Sequence, residues 1–137
     1  MAVYLSNGVV LTVNAVDLSS LVSSVTINRN VDELEITAMG DLGHRYTAGL
    51  ESSSISIEFF NDADTAKTLQ TLNGPTVFAK NVVVTAKQSS AVTSATNPLY
   101  TMTCLVNGIT PINGAVGDLS TQSVTWNVSG QIVVTSS

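Results

Sequence analysis

The chain has 137 residues, a length that predicts a single domain, residues 1–137, with one hydrophobic core. Only 11% of the residues are charged, and the net charge is −5. The five Lys and Arg residues are scattered, which excludes the basic patch that nucleic-acid binding requires. The single cysteine, Cys104, excludes an intrachain disulfide.

Targeting signals are not evident in the sequence. Residues Met1–Asn7 lack a basic region before an apolar run, so we do not expect a signal peptide. No stretch approaches the roughly 20 apolar residues of a membrane span. We therefore expect a protein that is made in the cytoplasm and has no membrane partner.

The first two strands follow from alternating apolar and polar residues. Val9–Val13 predicts one strand, and Leu21–Arg29 predicts another with Val25 and Ile27 on its apolar face. Such a period of two is typical of a half-buried strand.

The segment 30–51 has no sustained period and predicts a long loop, with at most a short strand at Leu34–Thr37. Loops of this length in compact domains are usually functional or disordered, and its apolar residues argue against disorder. We expect it to be ordered by packing, for example on another subunit. The candidate contact residues are Leu34, Ile36, Met39, Asp41, Leu42, His44, Arg45 and Tyr46.

A strong strand and a helix follow this loop. Ser53–Phe60 alternates clearly, with Ile55, Ile57 and Phe59 on one face. Residues 62–73 then predict a helix that Asn61 caps and that has a narrow apolar stripe. The stripe consists of Ala63, Ala66, Leu69 and Leu72.

Further strands complete a mainly β protein. They are predicted at Thr76–Lys87, Leu99–Asn107 and Leu119–Val128, with a short one at Ile132–Thr135. The total is about seven to eight strands and one flanking helix, which indicates a β-sandwich or an open barrel. Trp126 and the stripe of Ile55, Ile57 and Phe59 are expected to face one core.

Catalytic and metal sites are not supported by the sequence. His44 is the only histidine, and no Gly-x-Ser-x-Gly nucleophile motif accompanies it, so we expect no enzyme activity. Asp32, Glu33 and Glu35 lack the ligand spacing of a calcium loop and predict a solvated acidic turn. Cys104 shares a face with apolar residues and predicts a buried, inert thiol. No cofactor or metal is expected.

Two blocks of the chain, Ser24–Asp62 and Ser94–Gly130, carry a family likeness. The late block has Val116–Leu119 before a strand that contains Trp126. In these features the chain resembles the tail tube (major tail) proteins of long-tailed bacteriophages. The positions of the first block that match the family pattern are Thr37, Gly40, Asp41, Tyr46, Gly49, Leu50 and Ser52–Ser56.

The resemblance implies a structural virion protein of the phage tail. It implies hexameric rings that stack into a hollow tube, with the segment 30–51 reaching a neighbouring ring. The expected partners are further copies of the chain and other tail or virion proteins. DNA would pass through without specific binding, because an acidic lumen repels phosphates. A capsid decoration protein and a small β-sandwich binding or adhesin module remain the alternatives.

Overall fold

The computed structural model describes residues 8–65 and 67–136, and within them the chain forms ten strands in three sheets. The mainly β prediction is therefore confirmed. The predicted absence of a signal peptide concerns Met1–Asn7, which lies outside the described residues. The elements are β1 (Val10–Val13), β2 (Val16–Asp17), a 3-10 turn (Ser19–Leu21), β3 (Val22–Asn28), β4 (Val31–Glu35), β5 (Tyr46–Glu51), β6 (Ser54–Phe60), α1 (Thr68–Leu72), β7 (Asn81–Lys87), β8 (Leu99–Leu105), β9 (Thr121–Asn127) and β10 (Val133–Thr135).

Two antiparallel sheets form the body of the protein. The larger has the strand order β10-β8-β7-β1-β2, and the smaller has the order β3-β6-β9. In the smaller sheet, Asn28 pairs with Ser54 and Ser54 with Asn127, so these three residues mark one end. Phe60 pairs with Thr121 at the opposite end. The third sheet is the hairpin β4–β5.

The core lies between the two larger sheets and is built from the alternating residues of their strands. Phe59 and Trp126 contact each other there, with ring centroids 6.4 Å apart. The prediction that Trp126 and the β6 stripe share one core is confirmed. The buried apolar residues are Leu11, Val13, Leu18, Ile55, Ile57, Phe59, Leu72, Val77, Val82, Val84, Ala86, Met102, Cys104, Val106, Val124, Trp126, Val128 and Ile132.

Cys104 is completely buried, as its pattern predicted. Burial disfavours the thiolate and raises the pKa of the thiol to about 12. The side chain therefore acts as a small apolar core residue.

The helix is shorter than the predicted range 62–73. It comprises Thr68–Leu72, and Lys67 precedes it without a side-chain cap. Asn61 does not cap the helix: its Nδ2 donates to the Thr110 carbonyl at 3.2 Å and to Ser120 Oγ at 3.0 Å, and these bonds hold its Oδ1, which accepts no hydrogen bond from the described residues, away from the helix start. The Asp62 carboxylate accepts the Asp64 N–H at 2.9 Å, a local turn that competes with helix formation.

The apolar stripe of the predicted helix is only partly realised. Leu72 is buried in the core, Leu69 is half-buried, and Ala63 is exposed. Ala66 lies outside the described residues. Among the described residues, no helix is long and apolar enough to cross a membrane.

The predicted long loop 30–51 is wrong as a description of this segment, because it forms the antiparallel hairpin β4–β5. Ile36–Arg45 connects the two strands. The pairing register shifts between Val31 and Glu33, and both faces of the hairpin are largely exposed. A shifted register and two solvated faces leave no period of two in the sequence.

Candidate subunit-contact site

The hairpin, here called the arm (residues 30–51), extends from the end of the smaller sheet marked by Asn28 and Ser54. Every residue of β4 is exposed, and so are most residues of β5. The arm therefore takes almost no part in the core. Its order comes from its own backbone pairs, in which Leu34 lies opposite Thr47 and Glu35 opposite Tyr46.

Gly49 allows the two strands of the arm to pack closely. A Cβ atom at this position would lie 3.1 Å from Asp32 Cβ and 3.3 Å from Leu34 Cδ1. Both distances are shorter than comfortable van der Waals contact, so a side chain here would displace one of these neighbours. Gly49 is one of the residues in the family pattern, and this close packing explains why a glycine suits the position.

The tip of the arm (residues 36–45) contains an ordered turn. Ala38 N–H donates to Asp41 Oδ2 at 2.7 Å, and Asp41 N–H donates to the Ala38 carbonyl at 3.1 Å. Gly40 lies between them with a φ of +93°, a conformation that favours glycine. Asp41 also lies 3.8 Å from the Arg45 guanidinium. Asp41 is thus primarily a turn-forming residue.

A second polar network joins the two sides of the tip. Thr37 Oγ1 donates to Glu35 Oε2 at 2.9 Å and accepts the Arg45 N–H at 2.9 Å. His44 Nδ1 lies 2.7 Å from the same Glu35 oxygen. These hydrogen bonds, to His44 first and Thr37 second, lower the pKa of Glu35. The network keeps the tip in one conformation without a core beneath it.

The apolar side chains of the arm are uncovered. Met39 and Leu42 are fully exposed at the tip, and Leu50 is 81% exposed on β5. Leu34 and Ile36 lie about half exposed on one face of the hairpin. So much exposed apolar surface on a small element is typical of an interaction site.

The structure brings all eight predicted contact residues onto the arm but not onto one face. Because opposite residues in an antiparallel pair share a face, Tyr46 lies on the face of Glu35. His44 is beside it, with ring centroids 6.3 Å apart. The other face carries the side chains of Leu34, Ile36 and Arg45, and the tip presents Met39, Asp41 and Leu42.

Glu51 anchors the base of the arm to the sandwich. Its carboxylate accepts the Ile132 N–H at 3.0 Å and the Ser53 hydroxyl at 2.7 Å, and it pairs with Arg29 at 3.1 Å. These interactions, led by the Ile132 N–H, hold the pKa of Glu51 below its ordinary value of 4.5. The sequence predicted no particular role for Glu51, which lies in the segment predicted as a loop.

We expect Glu51→Gln to lower the melting temperature at neutral pH. Because the native state depresses the pKa of Glu51, the anchor contributes stability above about pH 4.5 and loses it as the pH falls further. The gap in melting temperature between wild type and variant should therefore be constant from pH 7 to 5 and shrink towards pH 3. Glu58→Gln, which removes a charge far from Ile132, is the control. A gap that does not change with pH would contradict this role of Glu51.

A polar grid covers the outer face of the smaller sheet. Nine polar side chains, three from each strand, form this grid, and Glu58 is the only charged one among them. Phe60 and Thr121 lie on the same face beyond the grid, at the end opposite Asn28. Ser56 and Thr125 hydrogen-bond across the grid at 3.0 Å. The rows of the grid are Ser24–Glu58–Ser123, Thr26–Ser56–Thr125 and Asn28–Ser54–Asn127.

A second uncovered apolar surface lies on the far loop (residues 108–120), which leads into β9. Ile112 is 90% exposed, Val116 is fully exposed and Leu119 is mostly exposed. The loop is ordered by Gly114 and Gly117, both with positive φ, and by the Asp118 N–H bond to the Ala115 carbonyl at 2.9 Å. The sequence pattern did not predict this exposed apolar surface.

The described residues contain no group of three or more His, Cys, Asp or Glu side chains that could hold a metal ion. The acidic residues of β4 illustrate the reason. Asp32 and Glu33 are neighbours on a strand, and their side chains therefore point to opposite faces. Glu35 Oε2 is already hydrogen-bonded to His44 Nδ1 and to the Thr37 hydroxyl.

The overall fold of this chain is similar to that of solved structures. A chain from the virion of a native gene transfer agent particle superimposes with a TM-score of 0.69 at 13% identity, covering 97% of this chain and 99% of that chain. A chain from the tail of an empty gene transfer agent particle, determined with helical refinement and C6 symmetry, gives 0.61 at 11% identity, covering 85% and 83%. No family model and no curated protein sequence matches the chain.

The fold is therefore one that also occurs in the virion and the tail of a gene transfer agent particle. The resemblance to tail tube proteins seen in the sequence is confirmed at the level of the fold.

Proposed function

We propose that this protein is a structural subunit of the tail tube of a phage-like virion. It assembles through self-contacts into stacked hexameric rings that form a conduit for DNA, and it has no enzymatic role. The observation that carries the proposal is the ordered arm, whose apolar residues Met39, Leu42 and Leu50 are uncovered in the isolated chain. The similarity to a chain of a tail with C6 symmetry supports this type of assembly.

The polar grid is suited to line the conduit. Its hydroxyl and amide groups form a wetted surface, and its one charge, Glu58, has the same sign as DNA phosphates. Without Lys or Arg, the grid cannot displace counterions from DNA, which is the main source of nonspecific affinity. DNA could therefore slide past such a wall without being retained.

Electron microscopy of the purified full chain tests the proposal. We expect sixfold rings at low concentration and tubes as the concentration rises, because each apolar arm is buried only by assembly. Sedimentation over a wide range of concentration and salt provides the second measurement. Monomers throughout would overturn the proposal. Isolated trimers would favour a capsid decoration protein instead.

A further inference from the structure

The two uncovered apolar surfaces lie at opposite ends of the smaller sheet. The arm leaves the sheet next to Asn28 and Ser54, which are paired. The far loop enters at Thr121, the partner of Phe60, and Asn61 N–H donates to the Ser120 carbonyl at 2.9 Å. Because the strands are seven residues long, the two ends are separated by roughly 20 Å. Within one chain the tip and the far loop do not cover each other, since Met39, Leu42 and Val116 are all fully exposed.

We propose that the tip of the arm of one subunit docks on the far loop of a second copy in the adjacent ring. This inference rests on the proposed function and adds the receiving surface, which nothing in the sequence indicated. Met39 and Leu42 would pack against Ile112, Val116 and Leu119.

Charge favours this pairing over contact between two arms. The arm carries five acidic residues against one arginine, a formal charge of −4 and half of all the acids in the chain. Two arms meeting would bring like charges together, which opposes association. The tip itself balances Asp41 with Arg45, and the far loop carries a single charge, Asp118. The tip and the far loop can thus meet with little repulsion.

The geometry of the contact also favours a second copy as the occupant. A contact between opposite ends of identical subunits is heterologous, and repetition by translation along the strands generates an open stack. Each copy then buries both of its apolar ends, apart from those in the terminal rings. A symmetric contact, tip to tip or far loop to far loop, would bury one of these two surfaces and leave the other exposed.

Crosslinking with introduced thiols tests the contact directly. In assembled Leu42→Cys/Val116→Cys protein, a bis-maleimide should produce a ladder of covalent multimers beyond the dimer, since each chain carries both partners. Leu42→Cys alone and Val116→Cys alone should give no crosslinks. Cys104 is buried and will not compete, as wild-type protein should demonstrate. A dimer formed by Leu42→Cys alone would indicate contact between arms and overturn the inference.

Complementation provides an independent test. Met39→Ser/Leu42→Ser and Ile112→Ser/Val116→Ser should each weaken stacking at least about tenfold and leave single rings. The two variants assembled separately and then mixed should form two-ring stacks but no long tubes, because only one intact tip and one intact loop can meet. Val92→Ser, an equally exposed apolar position outside both surfaces, should form normal tubes.

The outcomes separate the inference from the proposed function. If both serine variants form tubes as the wild type does, the contact is overturned and the tube-subunit proposal stands. The same holds if assembled double cysteine protein gives no crosslinks. Failure of the wild-type protein to form rings or tubes would overturn both. Because all substituted residues are exposed, unchanged melting temperatures should accompany each variant.

Discussion

Trp126→Ala should lower the free energy of unfolding by roughly 3–5 kcal/mol, the usual cost of removing a large buried aromatic side chain. Trp126 is completely buried against Phe59, and its Nε1–H donates to the Gly108 carbonyl at 3.3 Å. The substitution therefore leaves a cavity and an unpaired carbonyl where the chain runs towards the far loop. For a chain of this size, we expect the melting temperature to fall by roughly 10–15 °C.

Ser123→Ala is the matched control for this substitution. Ser123 lies on the same strand but on the exposed polar grid, so its truncation should change stability by no more than about 0.5 kcal/mol. Thermal or urea denaturation measures both variants. A Trp126→Ala protein that melts within about 2 °C of wild type would exclude the central place of Trp126 in the core.

Replacement of Ile36–Arg45 by Asn-Gly should leave the sandwich folded and abolish tubes. Glu35 and Tyr46 are paired, so a two-residue turn can join them and retain the register of the hairpin. The change removes Met39 and Leu42 but none of the buried core residues. We expect a melting temperature within a few degrees of wild type and complete loss of long tubes in electron micrographs.

The alternative for the arm is that it serves as a lid over its own domain, which predicts a folding defect on truncation. Circular dichroism and denaturation separate this from an assembly defect. A truncated protein that is well folded and still forms long tubes would refute the docking role of the arm and leave the tube-subunit proposal standing.

The longer sandwich strands could be predicted because each has one buried face, whereas the two-residue strand β2 has no such pattern and was not predicted. In β6, Ile55, Ile57 and Phe59 alternate with Ser54, Ser56 and Glu58, and the structure places the first set in the core. The same regularity identified Met102 and Cys104 on β8. A strand with one buried face has apolar residues at every second position, and this gives its sequence a period of two.

The helix start and the arm could not be predicted for physical reasons that differ. Asn61 is a good capping residue, but two groups of the far loop, the Thr110 carbonyl and Ser120 Oγ, accept hydrogen bonds from its Nδ2, and the local sequence does not reveal such a tertiary contact. The arm lacks a buried face of its own, so its strands carry no alternation. Its exposed apolar residues were nevertheless predicted as candidate contact residues, because uncovered apolar residues beside turn-forming glycines are typical of an interaction site, and their contact with another subunit stays a prediction.

The strand order of the sandwich has a consequence for folding kinetics. Ser56 meets Thr125 across 69 residues of sequence, and Thr12 meets Thr85 across 73. Such distant pairings require closure of long loops and place all-β domains among the slow folders, on a scale of milliseconds to seconds. The hairpin β4–β5 pairs only nearby residues and can form in microseconds. We therefore expect the arm to be formed, and its apolar tip displayed, well before the body that carries it is complete.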